Sequence, residues 1–138
     1  MSLKDNTSPL NNLHILLAED NEVNIYVAKR FLEKWGATVD TARNGREVLD
    51  IFNKDRHQLI LMDMHMPILT GAEATKRLRD QGCTVPIIAL TASIIPDDQK
   101  NLKETGVTDV IIKPFEPVAF LDTLKRCVEM FSSNKLAS

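Results

Sequence analysis

Short apolar runs alternate with amphipathic stretches five times along this chain of 138 residues. HILLA at 14–18 is the first run, and 37–42 alternates as a half-buried or edge strand does. LILM at 59–62, VPIIAL at 85–90 and TDVII at 108–112 complete the set. A strand covered on both faces, as in a parallel sheet, reads as a run of this kind. Between the runs the period changes. Val23, Val27, Phe31, Leu32 and Trp35 fall at spacings of three and four, the stripe of a helix laid on a sheet. Asn21 suits its cap and Gly36 its stop. Asn44-Gly45 turns into a second helix with Val48, Leu49 and Phe52 inward. Thr70 and Glu73 are spaced as a capping box for a third helix, ending near Gly82. Pro96 suits the first turn of a fourth, weakly anchored helix in which Leu102 is nearly the only large apolar residue. After Pro117, a last helix carries Phe120, Leu121, Leu124, Val128 and Phe131 on one stripe.

The order is (βα) five times, which predicts one α/β domain over 13–131, between flexible ends at 1–12 and 132–138. Right-handed crossovers put helices on both faces of a parallel sheet. The expected architecture is a doubly wound, flavodoxin-like (βα)5 sandwich with strand order 2-1-3-4-5. In such folds the ligand site lies beyond the carboxyl ends of the strands, where the order reverses. The apolar runs stop there on residues able to do chemistry: Glu19-Asp20, Asp63, Thr91 and Lys113-Pro114. The first and third strands are neighbours at the reversal, so Glu19, Asp20 and Asp63 converge.

Carboxylates at adjacent strand ends repel unless a divalent cation or Lys113 compensates them. Magnesium takes oxygen ligands and retains several waters, so two carboxylates, a backbone carbonyl just after Asp63 and water suit it. Glu19 joins directly or through water, or else Glu19 and Asp20 merely cap the next helix. A carboxylate is also a nucleophile toward phosphorus. In phosphoryl transfer the protein's work is alignment and charge compensation. Lys113 offers an ammonium, Thr91 a hydroxyl, and backbone N–H groups after Asp63 and near Ala92 further donors. For the Lys113-Pro114 bond, energetics alone leave cis as the minority form.

Composition narrows the classes. The chain is 43% hydrophobic with a net charge of −2 and no arginine-lysine block, so it lacks the footprint of a nucleic-acid binder. Cys83 and Cys127 are too few and too far apart for a zinc knuckle or disulfide scaffold, and are expected as a loop thiol and a helix residue. No apolar run approaches the roughly 18 residues of a membrane span. The polar start lacks a signal-peptide core, so a cytoplasmic domain is expected. Trp35, at helical spacing, is expected in the core or as a lid on a helix end.

The segments ILLAEDNEVN, LILMDMHMPILTG, PIIALTA and DVIIKPF resemble the receiver domain of two-component response regulators, most of all the receivers of hybrid sensor histidine kinases. The resemblance runs from about His14 to about Val128. It implies a phospho-accepting aspartate at Asp63, with Glu19, Asp20, Asp63 and the backbone carbonyl of His65 for Mg2+. It further implies Thr91 as the hydroxyl that moves toward the phosphoryl group, Lys113 as its counter-ion, and a cis Lys113-Pro114 bond. The implied donor is a histidine kinase or a histidine phosphotransfer domain, with the domain catalysing its own phosphorylation rather than acting as a conventional enzyme. A homodimer through the face of the fourth helix, fifth strand and last helix is a further candidate.

Two positions depart from the family pattern. Thr70 replaces an aspartate and still caps a helix. Val110 stands where many relatives carry an aromatic ring that swings inward, and valine has no such ring to rotate. His65 and Ser93, beside two site residues, are candidates for tuning the lifetime of the phosphorylated state. Two rivals remain: a receiver-like scaffold that is never phosphorylated, and an aspartyl-nucleophile phosphatase. The latter wants a second aspartate where His65 stands.

Overall fold

The computed structural model describes residues 8–92 and 96–137. Five strands, β1 (His14–Ala18), β2 (Thr38–Ala42), β3 (Leu59–Asp63), β4 (Ile87–Thr91) and β5 (Asp109–Ile112), alternate with five helices. The helices are α1 (Glu22–Lys34), α2 (Gly45–Ile51), α3 (Gly71–Asp80), α4 (Pro96–Glu104) and α5 (Pro117–Ala137). All strand pairs are parallel and the order is β2-β1-β3-β4-β5, so the expected doubly wound (βα)5 fold is the fold observed. β3 lies at the centre and is buried at every position, whereas β2 at the edge is mostly half-buried.

Because side chains alternate along a strand, the apolar runs divide cleanly between two layers. Ile15, Leu17, Leu59, Leu61, Ile88, Leu90 and Ile111 face one layer, covered by Ile25, Ala28 and Leu32 of α1 and Phe120, Leu124 and Cys127 of α5. Leu16, Ala18, Ile60, Met62, Ile87 and Ala89 face the other, covered by Val48 of α2 and Ala74 and Leu78 of α3. Leu102 is the anchor of α4 there, partly buried as expected. Trp35 ends α1 as a lid: it stacks on Phe31 at 5.5 Å and meets Phe120 edge-on at 5.6 Å.

The helix ends follow the sequence signals. Asn21 caps α1 by accepting from Asn24 N–H, and Asn44 caps α2 by accepting from Glu47 N–H. Thr70 and Glu73 form a complete capping box on α3. The inward face of α1 differs from the expected stripe. Val23 is exposed and Ile25 and Ala28 are buried in its place, while Leu32 is buried as expected. Two positions along a helix rotate a side chain by about 200°, so Val23 and Ile25 cannot share a face.

Both expected ends carry structure. Leu10 is buried and its N–H donates to the Trp35 carbonyl at 2.7 Å, tying part of the segment before residue 13 onto α1. α5 continues to Ala137, through the stretch expected as a tail. The side chain of Phe131 lies outside the described residues. Cys83 and Cys127 are both free. Burial pushes the Cys127 thiol up to about 11, as for an unreactive core residue. Among the described residues no helix is long and apolar enough to cross a membrane.

Candidate functional site

Three of the expected residues meet through direct contacts. Lys113 Nζ lies 2.8 Å from Glu19 Oε1 and 3.3 Å from Asp63 Oδ2. Strand register brings them together. Ala18 pairs with Met62, so Glu19 and Asp63 leave neighbouring strands side by side, and Leu90 pairs with both Asp63 and Ile111. Alternation matters as much. Glu19, Asp63 and Lys113 continue the parity of Leu17, Leu61 and Ile111, the layer covered by α1 and α5. Thr91 continues the parity of Ile87 and Ala89, and is 2% exposed at the end of β4. Its carbonyl accepts from Lys113 N–H at 2.8 Å, which sets β5 against β4 just before the Lys113-Pro114 bond. That bond is cis, as the resemblance implied.

Glu19 is 1% exposed and Asp63 3%. Burial raises the Glu19 carboxyl above its ordinary range, against the pull of the Lys113 ammonium. Asn21 N–H donates to Glu19 Oε2 at 3.2 Å, and His65 N–H donates to Asp63 Oδ1 at 3.0 Å. The latter is one of the backbone donors expected after Asp63. The His65 imidazole itself is exposed. Asp20 is also exposed, and its carboxylate completes a cluster with Glu19 and Asp63 whose oxygens lie within 4.8 Å of one another. Val110 is half-buried and, like Leu102, packs against the layer under α2 and α3. Ser93 lies outside the described residues.

The donor set fits magnesium. All the side-chain ligands are hard carboxylate oxygens, and three carboxylates face one ammonium, so a divalent cation would balance the local charge.

Two glycines close the site from below. A Cβ on Gly71 would lie 2.1 Å from the Asp63 carbonyl oxygen, and one on Gly45 would lie 2.3 Å from that of Leu69. These close approaches pack the β3–α3 loop beneath Asp63. The signal was the T-G pair that opens α3, read from sequence only as a cap.

A charged cluster not expected from sequence lies toward the other end of the sheet. His57 Nε2 donates to Asp40 Oδ2 at 2.8 Å, Arg56 Nε donates to the same oxygen at 2.8 Å, and His14 Nε2 is 3.2 Å away. Asn53 N–H donates to His57 Nδ1 at 3.1 Å, so the proton of the neutral ring sits on the nitrogen facing Asp40. Arg56 and a protonated nitrogen already satisfy this carboxylate, so the group is an ion-pair network pinning β2 rather than a metal centre. Nothing in the residue spacing marks it, because its members come from β1, β2 and the loop before β3.

The family model for the response regulator receiver domain matches residues 15–125. Hybrid signal transduction histidine kinase K of Dictyostelium discoideum is 36% identical over 136 residues, covering 92% of this chain and 11% of that protein. Other curated relatives are likewise spanned over only 15–16% of their length. The receiver domain of sensor histidine kinase PA1611 from Pseudomonas aeruginosa, solved with a magnesium ion in its active-site cleft, is 35% identical with a TM-score of 0.75, covering 85% of this chain and 98% of that one. The receiver domain of Saccharomyces cerevisiae Ssk1, solved with the histidine phosphotransfer protein Ypd1, is 30% identical with a TM-score of 0.81, covering 87% and 91%. With the fold, the acidic rim and the lysine in place, the match over 15–125 settles the family: this chain belongs to the response regulator receiver domains.

Proposed function

We propose that Asp63 is the phosphoacceptor of this receiver, taking a phosphoryl group from a phosphohistidine. The single observation that carries this reading is the Lys113 ammonium held between Glu19 and Asp63, beside Asp20. In the transfer, an Asp63 carboxylate oxygen forms a bond to phosphorus while the P–N bond breaks. The electron pair of that bond returns to the imidazole nitrogen of the donor, and the product is an acyl phosphate. His65 N–H holds the carboxylate in orientation. Lys113 stays with the charge that builds on the phosphoryl oxygens, and the Thr91 hydroxyl supplies a further donor. Glu19, Asp20 and Asp63, with the carbonyl of His65, would hold Mg2+. When bound, the metal ion supplies positive field to the phosphoryl oxygens. No protein beyond the donor is needed for the chemistry, so the domain is a self-catalysed phosphoacceptor.

Partners follow from the same reading: a histidine kinase or a histidine phosphotransfer domain as donor, in the cytoplasm. The parent is either a hybrid histidine kinase or a free-standing receiver. Val110 removes the ring whose rotation reports the phosphorylated state in many relatives. The signal then passes through α4, anchored mainly by Leu102, and the edge of β5, with a second copy docking on the α4–β5–α5 face. His65 and Ser93 set the lifetime of the acyl phosphate, and substituting each should change the rate at which the phosphoryl group is lost. Equal decay rates would remove that role.

Intact-protein mass tests the central claim. Incubation with Mg2+ and a small phosphodonor should add one phosphoryl group to the native chain and none to Asp63→Asn. No addition to the native chain would favour the unphosphorylated scaffold instead.

A further inference from the structure

The loop between β3 and α3 has a packed side and a displayed side. Met64, Met66 and Leu69 are buried, and the Leu69 carbonyl accepts from Gly45 N–H at 2.9 Å, so the inner side is fastened. Ile68 goes the other way. At 82% exposure it is the most exposed large apolar side chain among the described residues. Its φ is +72°, and Leu69 N–H donates across it to the Pro67 carbonyl at 2.8 Å. A hydrogen bond from residue i+2 to i around a positive φ is the rare, strained form of the γ-turn. A β-branched residue in that region of backbone space is an outlier, while asparagine or glycine enters it more readily. Isoleucine here is therefore unfavourable for the backbone and unfavourable in water, and it gives the free domain no packing in return.

A partner would reverse the second of these costs. Ile68 lies on the loop that leaves Asp63, five residues along it. Val23, in the first turn of α1 after Asp20, and Val118, in the first turn of α5 after Lys113, are 68% and 67% exposed at the same end of the sheet. Three exposed apolar side chains thus stand on the segments that follow Asp63, Asp20 and Lys113. A small phosphodonor has no use for such side chains, whereas a protein donor seated over the acidic cluster would remove their apolar surface from water.

We propose that Ile68 is a specificity-determining contact for the protein that brings phosphohistidine to Asp63, seating as an apolar knob on the donor's surface around that histidine. The proposal rests on Asp63 being the phosphoacceptor. Ile68 touches neither the P–N bond that breaks nor the P–O bond that forms, so it acts on donor affinity and leaves the chemical step alone.

The test compares the native chain, Ile68→Asn and Ile68→Leu with two donors in the presence of Mg2+. Phosphoramidate is a small donor with a P–N bond; phosphorylated yeast Ypd1 is a protein donor. All three chains should accept from phosphoramidate at one rate, and Ypd1 should outperform it on the native chain. Ile68→Asn should raise the apparent KM for Ypd1 about tenfold, the cost of truncating a well-seated interface side chain, with Ile68→Leu within about twofold of native. The Tm of Ile68→Asn should equal or exceed the native value. An unchanged KM in Ile68→Asn, no advantage of Ypd1 over phosphoramidate, or a lowered Tm would each overturn the proposal. Failure of phosphoramidate to label the native chain would instead bring down the Asp63 reading beneath it.

Discussion

A methyl group at position 71 has nowhere to go, since it would overlap the carbonyl oxygen of Asp63. The obstructing atom is backbone at the end of the central strand, so relief requires moving Asp63 itself. Gly71→Ala should lower stability by about 1–3 kcal/mol, the usual cost of overpacking. It should also slow phosphoryl uptake roughly tenfold or more, because small misplacements of a reacting group are costly. Urea melts and a mass time course check both, and native-like uptake would show that the loop absorbs the methyl without disturbing Asp63. At this scale the sequence was informative about which side chains gather at the rim and silent about what supports them. Asp63, Thr91 and Lys113 announce themselves by ending apolar runs. Gly71 does not, because a glycine needed for close approach looks like any glycine at a helix start.

Elements behave as their local signals require, and two predictions belong here. The capping box of Thr70 and Glu73 satisfies donors at the start of α3, the helix that follows the Asp63 loop. Thr70→Ala should cost about 1 kcal/mol in a urea melt, the typical cost of losing a cap. A variant as stable as the native chain would show that water replaces the box fully. The edge strand β2 depends on Asp40. Arg56, with His57 beside it, holds that carboxyl well below the usual carboxylate range. A carboxylate depressed in the folded state stabilises the fold above its unfolded pKa of about 3.9 and loses that stabilisation as pH falls toward the folded value. The advantage of the native chain over Asp40→Asn should therefore be full at pH 7 and smaller at pH 3. A gap that is flat with pH would show that the hydrogen bonds, not the charge, hold β2. The Val23 stripe shows the limit of periodicity at this scale. Val23 and Ile25 are equally apolar, and only the direction in which α1 meets the sheet decides which one is buried.

Across the whole molecule, the site is an accumulation of like charge that folding alone leaves unbalanced. Three carboxylates share the rim with one ammonium, and burial already raises Glu19. Binding a cation to the folded state alone stabilises it by mass action, about 1.4 kcal/mol at ten times Kd. Mg2+ should thus raise the Tm of the native chain by a few degrees and leave Asp20→Asn unmoved. An equal shift in both would place the ion elsewhere. The strand order, the layers and the meeting of Glu19, Asp63 and Lys113 were all legible beforehand, since buried parallel strands must be apolar runs and right-handed crossovers leave few topologies. Those constraints are local or topological, and a linear pattern carries them. Contacts between segments distant in the chain are not of that kind. The Asp40 network draws on β1, β2 and the loop before β3, and the seating of Gly45 on Leu69 joins α2 to the β3–α3 loop. The display of Ile68 is likewise a property of how its loop is fastened. Each depends on distances that exist only once the sheet has twisted and the helices have settled on it. The residues thus specified the order of the strands and which charged and polar side chains end them, and three-dimensional packing chose which groups support that rim and which face outward.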